Sequence, residues 1–280
     1  MSGTSACNDI VSFFARFIEA ELGIIYSEEN YFQLQNRLEE IARTLDLADL
    51  NALMDAAKKQ GINGNFKQLL IDKATNNETS FFRDMKAFQA AEQLIRNFLA
   101  ANESNQPLRI WSAASSTGQE ALSLTMLFED LVSSGEKNAG LSILATDISS
   151  KVLEKAKSGT YSDLEVSRGL SEKQLDRYFK PTENKQWVAS TKLMSHITFR
   201  EMNLKSPFSF PDKFDIVLCR NVLIYQKPES KSDILNRITA SIVDGGYLIL
   251  GSGESLIGLS KSFEQESLCG AIVYRKKKEV

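Results

Sequence analysis

The stretch Ser112-Ala-Ala-Ser-Ser-Thr-Gly-Gln-Glu120 follows a short apolar run, Leu108-Arg-Ile-Trp111, and leads into a segment carrying Leu122, Leu124, Leu127 and Phe128. Strand, small-residue loop and helix in that order place the loop at the carboxyl end of a parallel strand, where open α/β sheets bind ligands. Its single glycine, Gly118, makes it neither G-x-G-x-x-G nor a Walker A loop. Small residues and hydroxyls let a ligand approach the backbone without a phosphate cradle. The next apolar run, Leu141-Ser-Ile-Leu-Ala145, ends in Thr146-Asp147. An acid there can accept both hydroxyls of a ribose. A nucleoside without a pyrophosphate suits this pair of features, and S-adenosylmethionine is such a ligand. Asp147 suits equally well an N-cap for the helix beginning near Ser149, and both readings stand at this level.

The elements that must hold these loops follow from periodicity. Up to about residue 75 the chain carries helical stripes: Ile10, Phe13, Phe14, Phe17 and Ile18, then Tyr31, Leu34, Leu38, Ile41 and Leu45, then Leu50, Leu53, Met54 and Ala57. Residues 1–75 are therefore expected to form an all-α domain and 76–280 an α/β domain. In the latter, apolar strands alternate with helices, the pattern of a parallel sheet. After the strands at Leu108 and Leu141 come Phe214-Asp-Ile-Val-Leu-Cys219, Tyr247-Leu-Ile-Leu250 behind a Gly245-Gly246 turn, and Ala271-Ile-Val-Tyr274. Tyr178-Phe179, Trp187-Val188 and His196 to Arg200 read as short strands of a small antiparallel insert at about 176–200.

The composition narrows the chemistry. There are 33 Lys+Arg against 36 Asp+Glu and a pI near 5.5, which demotes nucleic-acid binding, since phosphate contacts favour a basic chain. One histidine, His196, and three scattered cysteines, Cys7, Cys219 and Cys269, build no metal cage. No uncharged apolar stretch reaches the roughly 18 residues that span a bilayer. The expectation is a cytoplasmic protein with free thiols, no metal, no bound nucleic acid and no membrane insertion.

Three further segments carry a resemblance. Asn76-Asn-Glu-Thr-Ser-Phe-Phe-Arg-Asp84 precedes the sheet, while Met202-Asn203-Leu204 and Cys219-Arg-Asn-Val-Leu-Ile-Tyr225 each follow an apolar strand. With Trp111 to Glu120, Ala145-Thr-Asp147 and Gly251-Ser-Gly-Glu254, they resemble the chemotaxis receptor glutamate O-methyltransferases, the CheR family, over roughly residues 10 to 275. That resemblance implies a Rossmann-like S-adenosylmethionine-dependent methyltransferase domain with a small β insert, preceded by a helical domain. It implies methyl transfer to glutamate side chains of membrane chemoreceptors, at receptor arrays visited from the cytoplasm. Cofactor contacts carry over to Asn77, Thr79, Arg83, Glu120, Asp147, Asn203, Leu204, Arg220 and Asn221, and the acceptor side to Arg83 and Tyr225. Physically, Glu120 suits the ammonium of the methionine end, and Asn203 with Leu204 the adenine. Residue types alone would make Asn77 and Thr79 a turn and helix cap before Phe81, and Tyr225 a strand-end aromatic packed on the next helix.

Several positions depart from the family pattern. The loop usually reads S-T-G-E-E-P-Y-S; here Gln119, Ala121 and Leu122 differ while Glu120 keeps the second acid. Gly251-Ser-Gly-Glu254 lacks the usual histidine. Relatives dock on the acidic receptor through a basic helix that Arg37 and Arg43 match. Glu39 and Glu40 lie between those two, and the domain carries eleven acidic residues against seven basic; solvated helix-surface residues are the competing reading. Some relatives capture a receptor tail peptide on the insert. Phe179 to His196 has no glycine and contains Pro181, so no such tether is expected here. The competing function is a catalytically weak, S-adenosylmethionine-binding adaptor docked on a receptor or signalling array.

Overall fold

The computed structural model describes residues 2–103, 106–137 and 139–278, with main chain only for residues 2–7, so the Cys7 side chain lies outside the described residues. The chain divides into two units: Met1–Asn76 with Tyr225–Ser230, and Asn77–Ile224 with Lys231–Val280.

The first unit comprises α1 (Ser2–Leu22), α2 (Tyr31–Thr44), α3 (Leu50–Gln60) and α4 (Gly64–Ala74). Apolar residues three and four apart put one stripe of each helix inside: Val11, Phe14 and Ile18, then Leu34, Leu38 and Ile41, then Leu53 and Ala57, then Leu70 and Ala74. Asp49 caps α3 by accepting from Ala52 N at 2.8 Å. The segment Tyr225–Ser230 joins this unit through Gln226, whose Nε2 donates to Leu22 O at 3.0 Å, and through a Lys227–Glu19 ion pair.

The second unit opens with α5 (Met85–Ala101), then β1 (Leu108–Ala113), α6 (Gln119–Ser133), β2 (Leu141–Asp147) and α7 (Ser150–Ser158). Next come β3 (Thr160–Ser162), α8 (Asp163–Ser167), α9 (Glu172–Tyr178), β4 (Phe179–Pro181), β5 (Gln186–Ala189) and α10 (Thr191–Met194). It finishes with β6 (Ile197–Glu201), β7 (Phe214–Cys219), α11 (Pro228–Ala240, its first turn in the other unit), β8 (Ile242–Leu250), β9 (Phe263–Leu268) and β10 (Ala271–Lys276). The main sheet runs β6-β2-β1-β7-β8-β10-β9, parallel from β6 to β8 and antiparallel beyond. From β1 the chain winds outward to β2 and β6, then returns to β7 on the other side of β1. That reversal opens a crevice at the carboxyl ends of β1, β2 and β7.

The insert differs in extent from the sequence expectation. It is a three-stranded sheet of order β3-β5-β4, so it begins near Thr160 rather than 176. The run after His196 is not part of it: Ile197–Glu201 pairs parallel with β2, from Ile143↔Ile197 to Asp147↔Glu201. As the edge of the main sheet, β6 buries one side chain, Ile197, and so lacks the apolar run of a central strand. Gly245-Gly246 is not a turn either. It lies inside β8 at a register shift against β7, where a Cβ on Gly246 would stand 2.8 Å from Ile242 Cγ2 and 2.9 Å from Asp215 O.

Candidate functional site

At the crevice, the loop after β1 is held open by three left-handed residues in five, Ala114 (φ 59°), Ser116 (φ 48°) and Gly118 (φ 90°). Two of these bear a Cβ and are therefore strained, so the surroundings must fix them. Ser115 N donates to Thr146 O at 2.8 Å and Ser116 N to Asp147 Oδ2 at 2.8 Å. The Ser116 hydroxyl donates to Asn77 O at 2.8 Å, and Tyr161 of β3 donates its hydroxyl to Thr117 O at 2.7 Å. Tyr161 is wholly buried, and burial, then Glu165, push its pKa well up, so it stays a neutral donor. Gly118 has a packing reason as well: a Cβ there would meet Ala156 Cβ at 3.0 Å and the Tyr161 hydroxyl at 3.3 Å.

Asp147 is buried at the end of β2, its Oδ1 accepting from Ser149 N at 3.0 Å. It is not the cap of the following helix. Ser149 is, with its hydroxyl accepting from Val152 N at 3.3 Å. Asn203 and Leu204 are drawn to the same place, because Met202 N donates to Asp147 O at 2.8 Å. Asn203 Oδ1 accepts from Lys205 N at 2.9 Å, and Leu204 is buried with its carbonyl accepting from Arg237 Nη1 at 3.0 Å.

On the β7 side, Arg220 has a side chain only 4% exposed. It donates to Glu120 Oε2 at 3.0 Å and to Arg83 O at 2.6 Å, lies 3.7 Å from Asp84 Oδ2, and covers the Phe88 ring at 5.4 Å. The other Glu120 oxygen accepts from Ser112 Oγ at 2.7 Å. The structure therefore gathers Asn77, Arg83, Glu120, Asp147, Asn203, Leu204, Arg220 and Asn221 around the ends of three neighbouring strands. Asn77 and Thr79 cap no helix, since α5 starts only at Met85 after Asp84. Buried Cys219 carries a thiol whose pKa is pushed up by burial, then by Glu254 and Glu120, and serves as packing.

Three of the sequence candidates belong to the helical unit. Tyr225 sits at the end of a short 3-10 turn, not a strand, with an exposed side chain whose hydroxyl accepts from Asn76 Nδ2 at 3.2 Å. Arg37 is half-buried and donates to the Tyr26 hydroxyl and to Ala74 O at 3.1 Å. Arg43 is exposed beside a groove of about 560 Å³ lined by Gln35, Glu39, Leu47 and Asp49. Ser116, Tyr161 and Glu254 escaped the sequence reading as functional residues. Only the alternation of small and hydroxyl residues around Gly118 hinted at the first.

Two buried polar atoms at the crevice, Ser115 Oγ and Arg220 Nε, have no hydrogen-bond partner among the described residues. Buried polar groups are seldom left so, and a ligand with ribose hydroxyls and an amino-acid end brings suitable groups. Among the described residues no cluster of three or more His, Cys, Asp or Glu could hold a metal, and no helix is long and apolar enough to cross a membrane.

Comparison with known proteins agrees with this geometry. Residues 77–271 match the family model for the CheR methyltransferase, SAM binding domain. The chain is 36% identical over 275 residues to chemotaxis protein methyltransferase 1 of Pseudomonas aeruginosa, covering 98% of this chain and 100% of that one. It is 35% identical to chemotaxis protein methyltransferase Cher2 of Pseudomonas putida, covering 94% and 96%. With the chemotaxis protein methyltransferase of Vibrio parahaemolyticus the identity is 36%, covering 94% and 95%. The match to the family model over residues 77–271, with likeness to chemotaxis protein methyltransferases over nearly the whole chain, makes this protein an S-adenosylmethionine-dependent methyltransferase that belongs to the CheR family.

Proposed function

We propose that the protein methylates glutamate side chains in the cytoplasmic region of membrane chemoreceptors, giving glutamate methyl esters and S-adenosylhomocysteine. The observation that carries this reading is likeness to chemotaxis protein methyltransferases along 98% of the chain, helical unit included. In this reading the protein is cytoplasmic and visits receptor arrays transiently.

Bound S-adenosylmethionine supplies a methyl group on a positively charged sulfonium. Asp147 holds the two ribose hydroxyls, its carboxylate already oriented by Ser116 N and Ser149 N. Glu120 would hold the ammonium and Arg220 the carboxylate of the methionine end, so that each ion of their existing pair would gain a ligand charge opposite to its own. Asn203 and Leu204 would hold the adenine, and Asn77, Thr79, Arg83 and Asn221 would complete the cofactor contacts.

The acceptor needs little acid or base help. A glutamate with a reference pKa near ~4.3 is already ionised at neutral pH, so the protein's task is alignment, worth roughly 7–11 kcal/mol at the upper end. Arg83 grips the carboxylate oxygen that does not attack, because close pairing with the attacking oxygen would blunt its nucleophilicity. Arg83 Nη1 donates to Glu78 O at 2.6 Å, a contact it exchanges for the acceptor in this reading. Tyr225 is the second acceptor-side residue in this reading, its hydroxyl fixing one carboxylate oxygen or lining the methyl path.

Docking on the receptor rests with the helical unit, through Arg43 and Arg37. Arg43 is the more accessible of the two. The insert captures no receptor tail peptide: its edge strands β3 and β4 have three residues each, and Pro181 removes a ladder donor from β4. Trp187 of the central strand is held by Asp163, with Nε1 to Oδ1 at 2.5 Å.

Transfer of labelled methyl from S-adenosylmethionine into a receptor-bearing membrane fraction, released by base as a methyl ester should be, tests the function. Label that is stable to base, or found outside the receptor, would refute it. Micromolar binding of a tail peptide, lost on mutating Trp187, would refute the absence of a tether.

A further inference from the structure

Gly251-Ser-Gly-Glu254, beyond the end of β8, has no part in the chemistry above, yet its carboxylate is wrapped in main-chain amides. Glu254 Oε2 accepts from Asn221 N at 2.7 Å and Gly251 N at 2.8 Å. Oε1 accepts from Val222 N at 3.0 Å, Leu223 N at 2.7 Å and Ile224 N at 3.2 Å. Four consecutive amides after β7 thus converge on one side chain some thirty positions away. The cause is the turn that leaves β7: Asn221 takes φ 59°, a left-handed conformation that a non-glycine residue adopts at a cost. Successive N–H groups in such a turn form a concave anion site, and here the chain fills it with its own carboxylate. Gly251 makes room for the contact, since a Cβ on it would stand 2.8 Å from Asn221 Nδ2 and 2.9 Å from both Asn221 N and Glu254 Oε2.

We infer that Glu254 is a positioning residue for methyl transfer. It locks the Arg220-Asn221 turn so that both side chains stand ready for the cofactor, and it never touches the reacting atoms itself. This rests on the reading of Arg220 and Asn221 as cofactor contacts. Loss of the carboxylate frees amides that must face one another, and Asn221 then relaxes from its left-handed conformation. Cofactor affinity therefore suffers beyond any loss of stability.

The test is titration calorimetry with S-adenosylhomocysteine, well below the melting temperature, on wild type, Glu254→Gln, Glu254→Asp and Asp147→Ala. Gln keeps the shape but turns an NH₂ toward the amides, so its Kd should rise at least tenfold. Asp restores a carboxylate on a shorter arm and should recover part of the loss. Glu254→Gln binding like wild type, with only a lower melting temperature, while Asp147→Ala binds weakly, would overturn the inference alone. If neither variant weakens binding, the cofactor-site reading fails and the inference with it. Should Glu254→Gln not fold, Gly251→Ala decides, because a Cβ there crowds Asn221 and Glu254 Oε2 against each other while keeping the carboxylate's charge. Weaker binding by that variant supports the inference, and wild-type affinity overturns it.

Discussion

Replacing Gly169 by alanine should unsettle the loop that carries Arg83, although the two residues lie far apart in sequence. Gly169 sits between α8 and α9 of the insert region at φ +113°, and a Cβ there would stand 2.0 Å from Phe81 O and 2.9 Å from Phe81 C. A real Cβ keeps at least 3.0 Å, so one backbone or the other must retreat by about that difference. Phe81 has little room to do so. It is 1% exposed, with its ring edge-on to Tyr161 at 5.1 Å and to Phe179 at 5.5 Å. Left-handed backbone costs an L-residue about 1–2 kcal/mol, and overpacking adds about 1–3 kcal/mol. A loss of roughly 2–5 kcal/mol, at about 2–4 °C per kcal/mol, lowers the melting temperature by on the order of 10 °C. Because the displaced carbonyl lies two residues before Arg83, kcat/KM for methyl transfer should fall at temperatures where the variant is still folded. Thermal unfolding by circular dichroism, with Arg168→Ala as the exposed neighbouring control, reads the first effect, and single-turnover transfer reads the second. A melting temperature within about 1 °C of wild type, less than a loss of 1 kcal/mol would cause, would refute the reasoning.

Asp147→Ala should weaken S-adenosylhomocysteine binding by about a hundredfold, as expected for two charged hydrogen bonds of about 1.5 kcal/mol each; calorimetric titration in chelator checks it, and unchanged affinity would remove Asp147 from the site. Arg83→Ala and Tyr225→Phe should reduce methyl transfer much more than cofactor affinity, and a wild-type transfer rate for Tyr225→Phe would deny its hydroxyl a role. Asp215 supplies a test with a pH sign. Burial raises its pKa, outweighing the stabilisation of the carboxylate by Arg109 N at 2.8 Å and by the Arg109 charge. A carboxyl with a raised folded-state pKa binds more protons folded than unfolded, so its contribution to stability falls as pH rises through that window. Asp215→Asn should therefore melt higher than wild type at neutral pH, with the advantage shrinking as the solution is acidified below the folded-state pKa. An advantage that is independent of pH would refute the assignment.

The central strands were legible because their burial is extreme. β1 and β7 bury nearly every side chain, which leaves the mostly apolar runs Leu108-Arg-Ile-Trp111 and Phe214-Asp-Ile-Val-Leu-Cys219, each broken only by a half-buried charged residue at its second position. The edges were not, for the converse reason. β9, Phe263-Glu-Gln-Glu-Ser-Leu268, buries only Phe263, and its charged alternation looks like a loop to any hydrophobic pattern. β6 carries a pattern that suits an insert strand as well as a sheet edge, and only its pairing with β2 decides between them. The double glycine in β8 reads as a turn because both functions need the same absence of a side chain. In the fold that absence serves the close approach of Ile242 and the Asp215 carbonyl.

The site divides along a similar line. Residues proposed to address the ligand by their own chemistry, such as Asp147 at a strand end or Glu120 after a small-residue loop, announce themselves by type and place. Those that act on the backbone do not. Glu254 looks like one of many acids until five amides are seen to point at it, and Tyr161 looks like core until its hydroxyl is found on Thr117 O. Arg220 shows why both kinds are needed. Burying an arginine beside a carboxylate is a poor route to stability, because the desolvation of both ions offsets most of their attraction. A buried Arg220–Glu120 pair at the mouth of a crevice therefore makes more sense as a preset match for a ligand with one charge of each sign. Such a match discriminates only if neither ion can drift. Ser112 holds Glu120 from one side, Arg83 O holds Arg220 from the other, and the Glu254 clamp keeps the turn after Arg220 from relaxing. On the proposed reading of the site, specificity for the cofactor is thus set as much by these unannounced backbone contacts as by the charges they hold in place.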